Sequence, residues 1–153
     1  MTTTLSGRLT TSYGLAARLL DYLQPAALLA ARLYLARVFF ASGLTKLSDW
    51  DTTLFLFEEE YSVPLLPFEL AAWLATSGEI LLPVLLVLGL AGRVGALGLS
   101  IVNIVAVVSL AEIAPAALMQ HVLWGVLLAQ LLIWGPGKLS FDGWLKNRFK
   151  RQI

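Results

Sequence analysis

Residues 70–90 decide the class of this protein, and their sequence is LAAWLATSGEILLPVLLVLGL. The stretch is apolar and about long enough to cross a bilayer, since a transmembrane helix needs about 20 residues. It carries one carboxylate, Glu79, near its centre. A lone acid at that depth costs at least about 2.5 kcal/mol on insertion scales, so it requires a partner, a water-filled cavity or a proton. The stretch therefore predicts a membrane-spanning helix that buries a polar group.

The composition agrees with a membrane protein of one domain. The chain has 153 residues, of which 58% are hydrophobic and only 14% are charged. Soluble domains contain about 25% charged residues, so the excess apolar surface is expected to face lipid. The absence of cysteine excludes disulfides, thiolate metal sites and iron–sulfur clusters held by this chain alone. The net charge of +1 gives no reason to expect a nucleic-acid partner.

The apolar segments predict an all-α integral membrane four-helix bundle. The predicted spans are about 25–47, 67–90, 93–111 and 116–135, in a single domain over residues 25–135. Residues 1–24 are predicted to form a cytoplasmic tail with a short amphipathic helix at the interface, and Pro25 suits the first turn of a new helix. An extension of the first span is the alternative for that helix. Residues 136–153 are predicted to form a basic cytoplasmic tail.

The distribution of basic residues predicts the orientation of these spans. Arg8, Arg18 and Arg93 fall on the same side as the basic C-terminus, which the positive-inside rule assigns to the cytoplasm. Both termini are therefore predicted to be cytoplasmic. The long connection, residues 48–66, is acidic and is predicted to lie outside, where it is a candidate docking surface for protein partners. The sequence leaves a homo-oligomer open.

Counting residues along the spans gives a depth for the intramembrane polar groups. Arg37 lies twelve residues beyond Pro25, and Glu79 lies twelve residues beyond Pro67. At about 1.5 Å per residue, both reach the bilayer midplane in antiparallel spans. Arg37 is therefore predicted to point into the bundle and to pair with Glu79. Asn103, in the third span, is predicted to lie at a similar depth.

Other polar residues are predicted to lie nearer the membrane boundaries. Arg32 and Lys46 occupy opposite ends of the first span, from which long side chains reach water by snorkelling. His121 falls early in the fourth span, near Lys46 and Glu112 at the outer face. Together these residues predict a polar pocket near the midplane that opens toward the outer face.

The sequence allows two interpretations of each polar group. The Arg37–Glu79 pair is either a structural ion pair or a site of proton or ligand chemistry. Asn103 is either an interhelical hydrogen bond or a ligand contact. His121, with an ordinary pKa of about 6.5, is either a proton carrier or a structural residue. No metal-ligand set is predicted, because the chain has one histidine, two methionines and no zinc-spaced motif.

Four short motifs together resemble the DoxX family of small four-helix membrane proteins. They are ARVFFASGLTKL at residues 36–47, GE at 78–79, LGLAGR at 88–93 and GPGKLSFD at 135–142. The segment EEYSVPLLP, residues 59–67, is similar to a subgroup associated with operons for metal-stress peptides. The resemblance implies a multi-pass protein of the bacterial inner membrane. One relative is the membrane subunit of a thiosulfate:quinone oxidoreductase.

The resemblance implies a quinone-interacting subunit of a membrane redox complex linked to oxidative, sulfur or metal stress. In this hypothesis Arg37, Lys46 and Asn103 bind the quinone, while Glu79 and His121 transfer protons. The chain would then act as an oxidoreductase subunit, with quinone as its cofactor. The alternative is a non-enzymatic membrane accessory or scaffold protein whose buried Arg37–Glu79 pair is structural. Whether the chain is an enzyme stays open.

Overall fold

The structure is a computed structural model that describes residues 5–150, with the side chains of Ala16, Lys150 and residues 5–12 left out. Within this range all regular structure is helical, apart from one isolated bridge between Tyr61 and Leu110. The helices are α1 (Leu5–Ser48), α2 (Trp50–Glu59), α3 (Phe68–Leu88), α4 (Gly92–Val108), α5 (Pro115–Trp134) and α6 (Phe141–Lys150). The predicted all-α class is confirmed.

Four of these helices, α1, α3, α4 and α5, pack against one another as antiparallel neighbours in the order α1, α3, α4, α5. Three segments are long and apolar enough to cross a membrane: Tyr13–Ser48, Phe68–Leu88 and Pro115–Trp134. The fourth predicted span, α4, is apolar but has only 17 residues. The predicted four spans with cytoplasmic termini therefore stay a prediction.

The two ends of the packed helices differ in their charged groups, and we call them the acidic end and the basic end. The acidic end holds α2, the 60–67 loop and the start of α5. The basic end holds the α3–α4 turn, residues 135–140 and α6. The acidic end corresponds to the predicted outer face, and the basic end to the predicted cytoplasmic face.

The sequence predicted that a new helix begins at Pro25, but α1 does not begin there. It is a continuous helix of 44 residues in which Pro25 is an interior residue. A proline in a helix interior removes one backbone hydrogen bond at a cost of about 3 kcal/mol, but it need not end the helix. The depth predicted for Arg37 was counted from Pro25 as the start of a helix, and α1 has no start there.

Small residues bring α1 and α3 into close contact. A Cβ atom on Gly43 of α1 would lie 2.9 Å from the Ile80 Cδ1 atom and 3.0 Å from the Glu79 Cβ atom of α3. Ala71 and Ala72 are likewise buried on α3, beneath Phe57 of α2. Small side chains allow helices to approach closely where lipid supplies no hydrophobic drive for their association.

Arg32 fastens the basic end, and the prediction that it snorkels to water is wrong. Its side chain is only 1% exposed. Its guanidinium donates four hydrogen bonds to backbone carbonyls, and those carbonyls belong to Leu86 (2.7 Å), Val87 (2.7 Å), Pro136 (3.0 Å) and Leu139 (2.7 Å). The first two belong to the last turn of α3, where the Leu86 carbonyl also accepts a hydrogen bond from the Gly89 N–H at 3.1 Å. One side chain thus joins α1, α3 and the chain after α5.

Asp142 completes the basic end by capping α4. Its carboxylate oxygens accept hydrogen bonds from the backbone N–H groups of Ala91 (3.0 Å) and Gly92 (2.9 Å). The turn before them depends on Gly89, which has a φ of 64°. A Cβ atom there would lie 2.7 Å from the Arg32 Nη2 atom and would also strike Ser140. The turn therefore needs glycine for both its conformation and its space.

We expect Arg32→Leu to lower the free energy of unfolding by about 3 kcal/mol, because it leaves buried carbonyls without donors. Arg37→Leu is the matched control, since Arg37 lies on the same helix with an exposed side chain, and it should change stability little. Thermal unfolding in detergent measures both. Equal stabilities of the two variants would contradict the role assigned to Arg32.

Candidate functional site

The acidic end contains an ion pair between α1 and α3. The Lys46 Nζ atom lies 2.7 Å from the Glu79 Oε2 atom and donates a second hydrogen bond to the Ser42 Oγ atom at 2.9 Å. Glu79 is buried, and the Lys46 side chain is 21% exposed. The described residues form no hydrogen bond to the other Glu79 oxygen, Oε1. The intramembrane acid therefore has a partner, but the carboxylate is not saturated.

The predicted pairing of Arg37 with Glu79 is wrong. The Arg37 side chain is exposed on α1, and Lys46 takes the position beside the carboxylate. Arg37 lies only five residues from Arg32, which marks the basic end, so its depth was overestimated by counting from Pro25. The depth that the Lys46 ammonium reaches was underestimated, because helical side chains lean toward the N-terminus of their helix. Its ammonium reaches back one turn, to Ser42.

An apolar cavity of about 220 Å³ adjoins this pair. Its lining comes from α2, α3, α4 and the 60–67 loop, and Lys46 and Glu79 are its charged residues. Leu74 of α3 and Ile101 of α4 line it while being more than half exposed on the outer surface of the helices. The cavity therefore opens sideways, between α3 and α4, toward the surface that faces lipid.

Tyr61 and Ser109 add hydroxyl groups to this cavity. The Ser62 N–H donates a hydrogen bond to the Ser109 carbonyl at 2.8 Å, which fixes the loop against the end of α4. Burial, together with the charges of Glu60 and Glu79, raises the pKa of Tyr61 above its ordinary value of 10.0. The phenol is therefore protonated at neutral pH and serves as a hydrogen-bond donor. No spacing in the sequence indicated that Tyr61 lies near Glu79.

A second, polar groove of about 390 Å³ lies on the other side of Lys46. Its lining includes the carboxylate of Asp49 and five hydroxyl-bearing residues of α1 and α2: Ser42, Thr45, Ser48, Thr52 and Thr53. Lys46, Phe57 and Tyr61 line both this polar groove and the apolar cavity. The apolar cavity and the polar groove therefore adjoin each other at these three residues, and Lys46 of the ion pair is one of them.

Asn103 and His121 form a separate pair between α4 and α5. The Asn103 Nδ2 atom donates to the His121 carbonyl at 3.0 Å, and its Oδ1 atom lies 2.8 Å from the His121 Nδ1 atom. Since the Asn103 oxygen only accepts, Nδ1 carries the hydrogen and Nε2 is left as an acceptor. The edge of the His121 ring also contacts Trp124, with a centroid distance of 4.9 Å. Neither Asn103 nor His121 lines the apolar cavity.

The five residues predicted for the site thus divide into three places. Lys46 and Glu79 meet at the apolar cavity, Asn103 and His121 meet between α4 and α5, and Arg37 joins neither group. The single polar pocket that the depth count predicted is therefore two separate polar pairs. Their separation follows from helix rotation, which a depth count leaves undetermined.

The raised pKa of Tyr61 predicts a stability change at high pH. The unfolded chain loses the phenol proton near pH 10, whereas the folded chain retains it. The contribution of Tyr61 to the free energy of unfolding therefore falls as the pH rises above 10. We expect Tyr61→Phe to reduce the loss of melting temperature between pH 9 and pH 11. Tyr22→Phe, at an 82% exposed tyrosine, is the control. Identical pH profiles for both variants would show that Tyr61 is not buried beside Glu60 and Glu79.

Comparison with known families and structures gives one match. Residues 27–112, more than half of the chain, match the DoxX family. No curated protein and no solved structure matches the chain. The matched range includes Arg32, the Lys46–Glu79 pair and the α3–α4 turn, whereas α6 lies outside it. The chain therefore belongs to the DoxX family, and it is a multi-pass membrane protein.

Proposed function

We propose that this protein is a quinone-interacting subunit of a membrane redox complex, with the apolar cavity as its quinone site. The observation that carries the proposal is the Lys46–Glu79 ion pair at 2.7 Å in an apolar cavity that opens toward lipid. A paired acid and base at a lipid-facing opening suits a ligand that dissolves in the membrane and exchanges protons. The electrons would come from a partner subunit, and a link to oxidative, sulfur or metal stress is part of the proposal.

The residues present fit a quinone ring. The cavity, at about 220 Å³, is smaller than the usual 300–1,000 Å³ of drug-sized sites, so it suits a ring rather than a whole prenylated molecule. The opening between Leu74 and Ile101 would let the tail remain among lipids. Lys46 has three N–H donors, of which Ser42 and Glu79 take two. The third, together with the Tyr61 hydroxyl, would bind the ring oxygens.

A quinone, when bound, supplies the capacity to take up two electrons and two protons. Lys46 would hold a ring oxygen by a charge-assisted hydrogen bond and stabilise negative charge there. Glu79 would hold and release the proton through its Oε1 atom. The apolar walls that α3 and α4 contribute to the cavity would keep water away from the quinone ring. The interactions of the ring with Lys46 and Glu79 would be stronger as a result.

The polar groove would carry protons between the outer aqueous phase and Lys46. Its hydroxyl groups offer hydrogen-bond partners for water, and Lys46 is shared with the apolar cavity.

The proposal includes the orientation of the chain in the bacterial inner membrane. Four spans, α1, α3, α4 and α5, would place both termini in the cytoplasm and the polar groove outside. Residues 25–135 would form the membrane domain, flanked by the N-terminal 1–24 extension and the basic 136–153 tail. The acidic 48–66 segment, beside the groove, would be the docking surface for a protein partner or a second copy.

We expect Glu79→Gln to abolish proton exchange at the site while it preserves side-chain shape. Quinone-linked turnover in membranes should fall about 100-fold, the lower range for loss of a general acid–base group. Glu69→Gln, at an exposed residue in the first turn of α3, is the matched control and should retain full turnover. Quinone binding to the purified protein, followed by tryptophan fluorescence with a short-chain quinone, separates binding from turnover. Unchanged turnover in Glu79→Gln would overturn the proposal.

A non-enzymatic accessory protein is the second candidate function, because the same ion pair joins α1 and α3 beside the close contact at Gly43. The two functions differ in the response to a charge swap, Lys46→Glu with Glu79→Lys. A structural pair predicts that the swap restores most of the stability lost in either single variant and leaves quinone binding absent throughout. A quinone site predicts that the wild type binds quinone. The charge-swapped variant should then fold but neither bind quinone nor support turnover.

The proton-transfer role of His121 stays a prediction, now placed at a second site with Asn103. Because Nδ1–H is held by Asn103, proton exchange would use the Nε2 atom. His121→Gln should then leave quinone binding unchanged and slow proton uptake by reconstituted membranes about 100-fold, the lower range for loss of a general acid–base group. Unchanged uptake would leave the pair with only its interhelical hydrogen bonds. A contact of Asn103 or Arg37 with quinone would require a rearrangement of these helices, so the present geometry favours Lys46 and Tyr61.

A further inference from the structure

Two neighbouring cavities at the basic end are unused by the proposed function. The first is a lateral groove of about 460 Å³ between α1 and α5, lined mainly by Leu28, Val126, Ala129, Ile133 and Trp134. It is apolar except for Gln24 and Gln130. Val126, Ile133 and Trp134 are each more than 60% exposed, so the lateral groove is open along the surface that faces lipid.

The second cavity, the basic pocket, has a volume of about 310 Å³ and includes Lys138, Lys146 and Asn147 in its lining. The lateral groove and the basic pocket share Gln24, Leu28 and Trp134, so they adjoin each other. Among the described residues, neither lysine takes part in an ion pair. An apolar groove along the helices therefore leads directly to two ammonium groups at their end.

Asp142 is the one acidic residue that lines the basic pocket. Both of its carboxylate oxygens already accept hydrogen bonds, from the Ala91 and Gly92 N–H groups. Arg32, which lies close enough to interact with it electrostatically, balances its charge. The lysines are therefore left as the excess charge of the pocket, which favours an anion.

The surroundings of the basic pocket place it at the level of lipid headgroups. Trp134 ends α5 with its ring exposed, as is typical of aromatic residues at a membrane boundary. The following helix, α6, exposes Phe141, Trp144 and Phe149 and also carries basic residues, among them Arg148, which lies over the Trp144 ring. Aromatic and basic side chains on one short helix are typical of a helix at an anionic membrane surface.

We propose that the basic pocket binds the phosphate headgroup of an anionic phospholipid, with an acyl chain in the lateral groove. The headgroup supplies the negative charge that the two lysines lack, and the chain covers the apolar floor between α1 and α5. Basic pockets between helices at a membrane boundary recognise anionic lipids by this combination. The inference rests on membrane embedding alone and is independent of quinone binding at the opposite end.

The test uses the full chain purified in mild detergent and exposed to equal amounts of phosphatidylglycerol and phosphatidylcholine. Native mass spectrometry counts the lipid of each kind that is retained. We expect preferential retention of phosphatidylglycerol, with about 30-fold weaker binding in Lys138→Gln/Lys146→Gln, since each basic residue near an anionic surface contributes about a factor of five. Lys138→Arg/Lys146→Arg should retain the preference and shows that the pocket still folds. Arg18→Gln/Arg37→Gln removes the same charge outside the pocket and away from α6, and should retain the preference as well.

A second arm separates a lipid from a soluble phosphate. Ala129→Trp fills the lateral groove and should weaken phosphatidylglycerol retention, whereas Ala116→Trp, at the opposite end of α5, should not. Glycerol 1-phosphate, as a headgroup without chains, should compete only weakly. Equal retention of both lipids, unchanged retention in Lys138→Gln/Lys146→Gln, or strong glycerol phosphate binding that survives in Ala129→Trp would each overturn the proposal.

Discussion

The structure depends on a buried guanidinium that has exchanged water for backbone carbonyls. Arg32 carries a permanent charge at 1% exposure, which is tolerable only because four carbonyl oxygens replace its hydration shell. The protein also gains from this arrangement, because the Val87 carbonyl at the end of α3 has no other donor among the described residues, whereas the Leu86 carbonyl also accepts from the Gly89 N–H. Since the acceptors come from α3 and from the chain after α5, the charge can be buried only when three parts of the fold have assembled. Arg32 therefore couples the burial of one side chain to the closure of the whole basic end.

Firm closure at one end allows openness at the other. At the basic end Arg32, Asp142 and Gly89 leave little freedom, because every hydrogen bond they make is to backbone. At the acidic end the polar contact between α1 and α3 among the described residues is an ion pair between two side chains, and the apolar cavity and the polar groove both adjoin Lys46. Side-chain pairs can change partners without moving the backbone, whereas carbonyls cannot. The geometry thus concentrates exchangeable hydrogen bonds where a membrane-soluble ligand has access.

The sequence predicted most reliably what depends on composition. Apolar runs gave α3 and α5 to within a few residues, and the family motifs included the turn at Gly89 and the loop at Gly135. The partner of Glu79 was predicted wrongly because it depends on helix rotation and on where a span begins, and a proline inside α1 obscured that beginning. The role of Arg32 was missed for a different reason. The partners of Arg32 are main-chain carbonyls. Every residue has one, so no pattern of side chains in the sequence predicts these contacts.

The same reasoning explains why two arginines five residues apart have opposite environments. A basic residue in a span has two ways to avoid an unsolvated charge, either internal acceptors or access to the boundary. Arg32 lies opposite the end of α3, where unpaired carbonyls are available, and so it is buried. Arg37 is about 7.5 Å further along the helix, opposite the interior of α3, where carbonyls accept from helical N–H groups except at Glu79, whose donor position is taken by Pro83. Arg37 therefore makes no such hydrogen bonds to helix-end carbonyls among the described residues, and its side chain is exposed on the surface of the packed helices. The position of a charge relative to the helix ends, more than its depth alone, therefore decides whether it is buried in this fold.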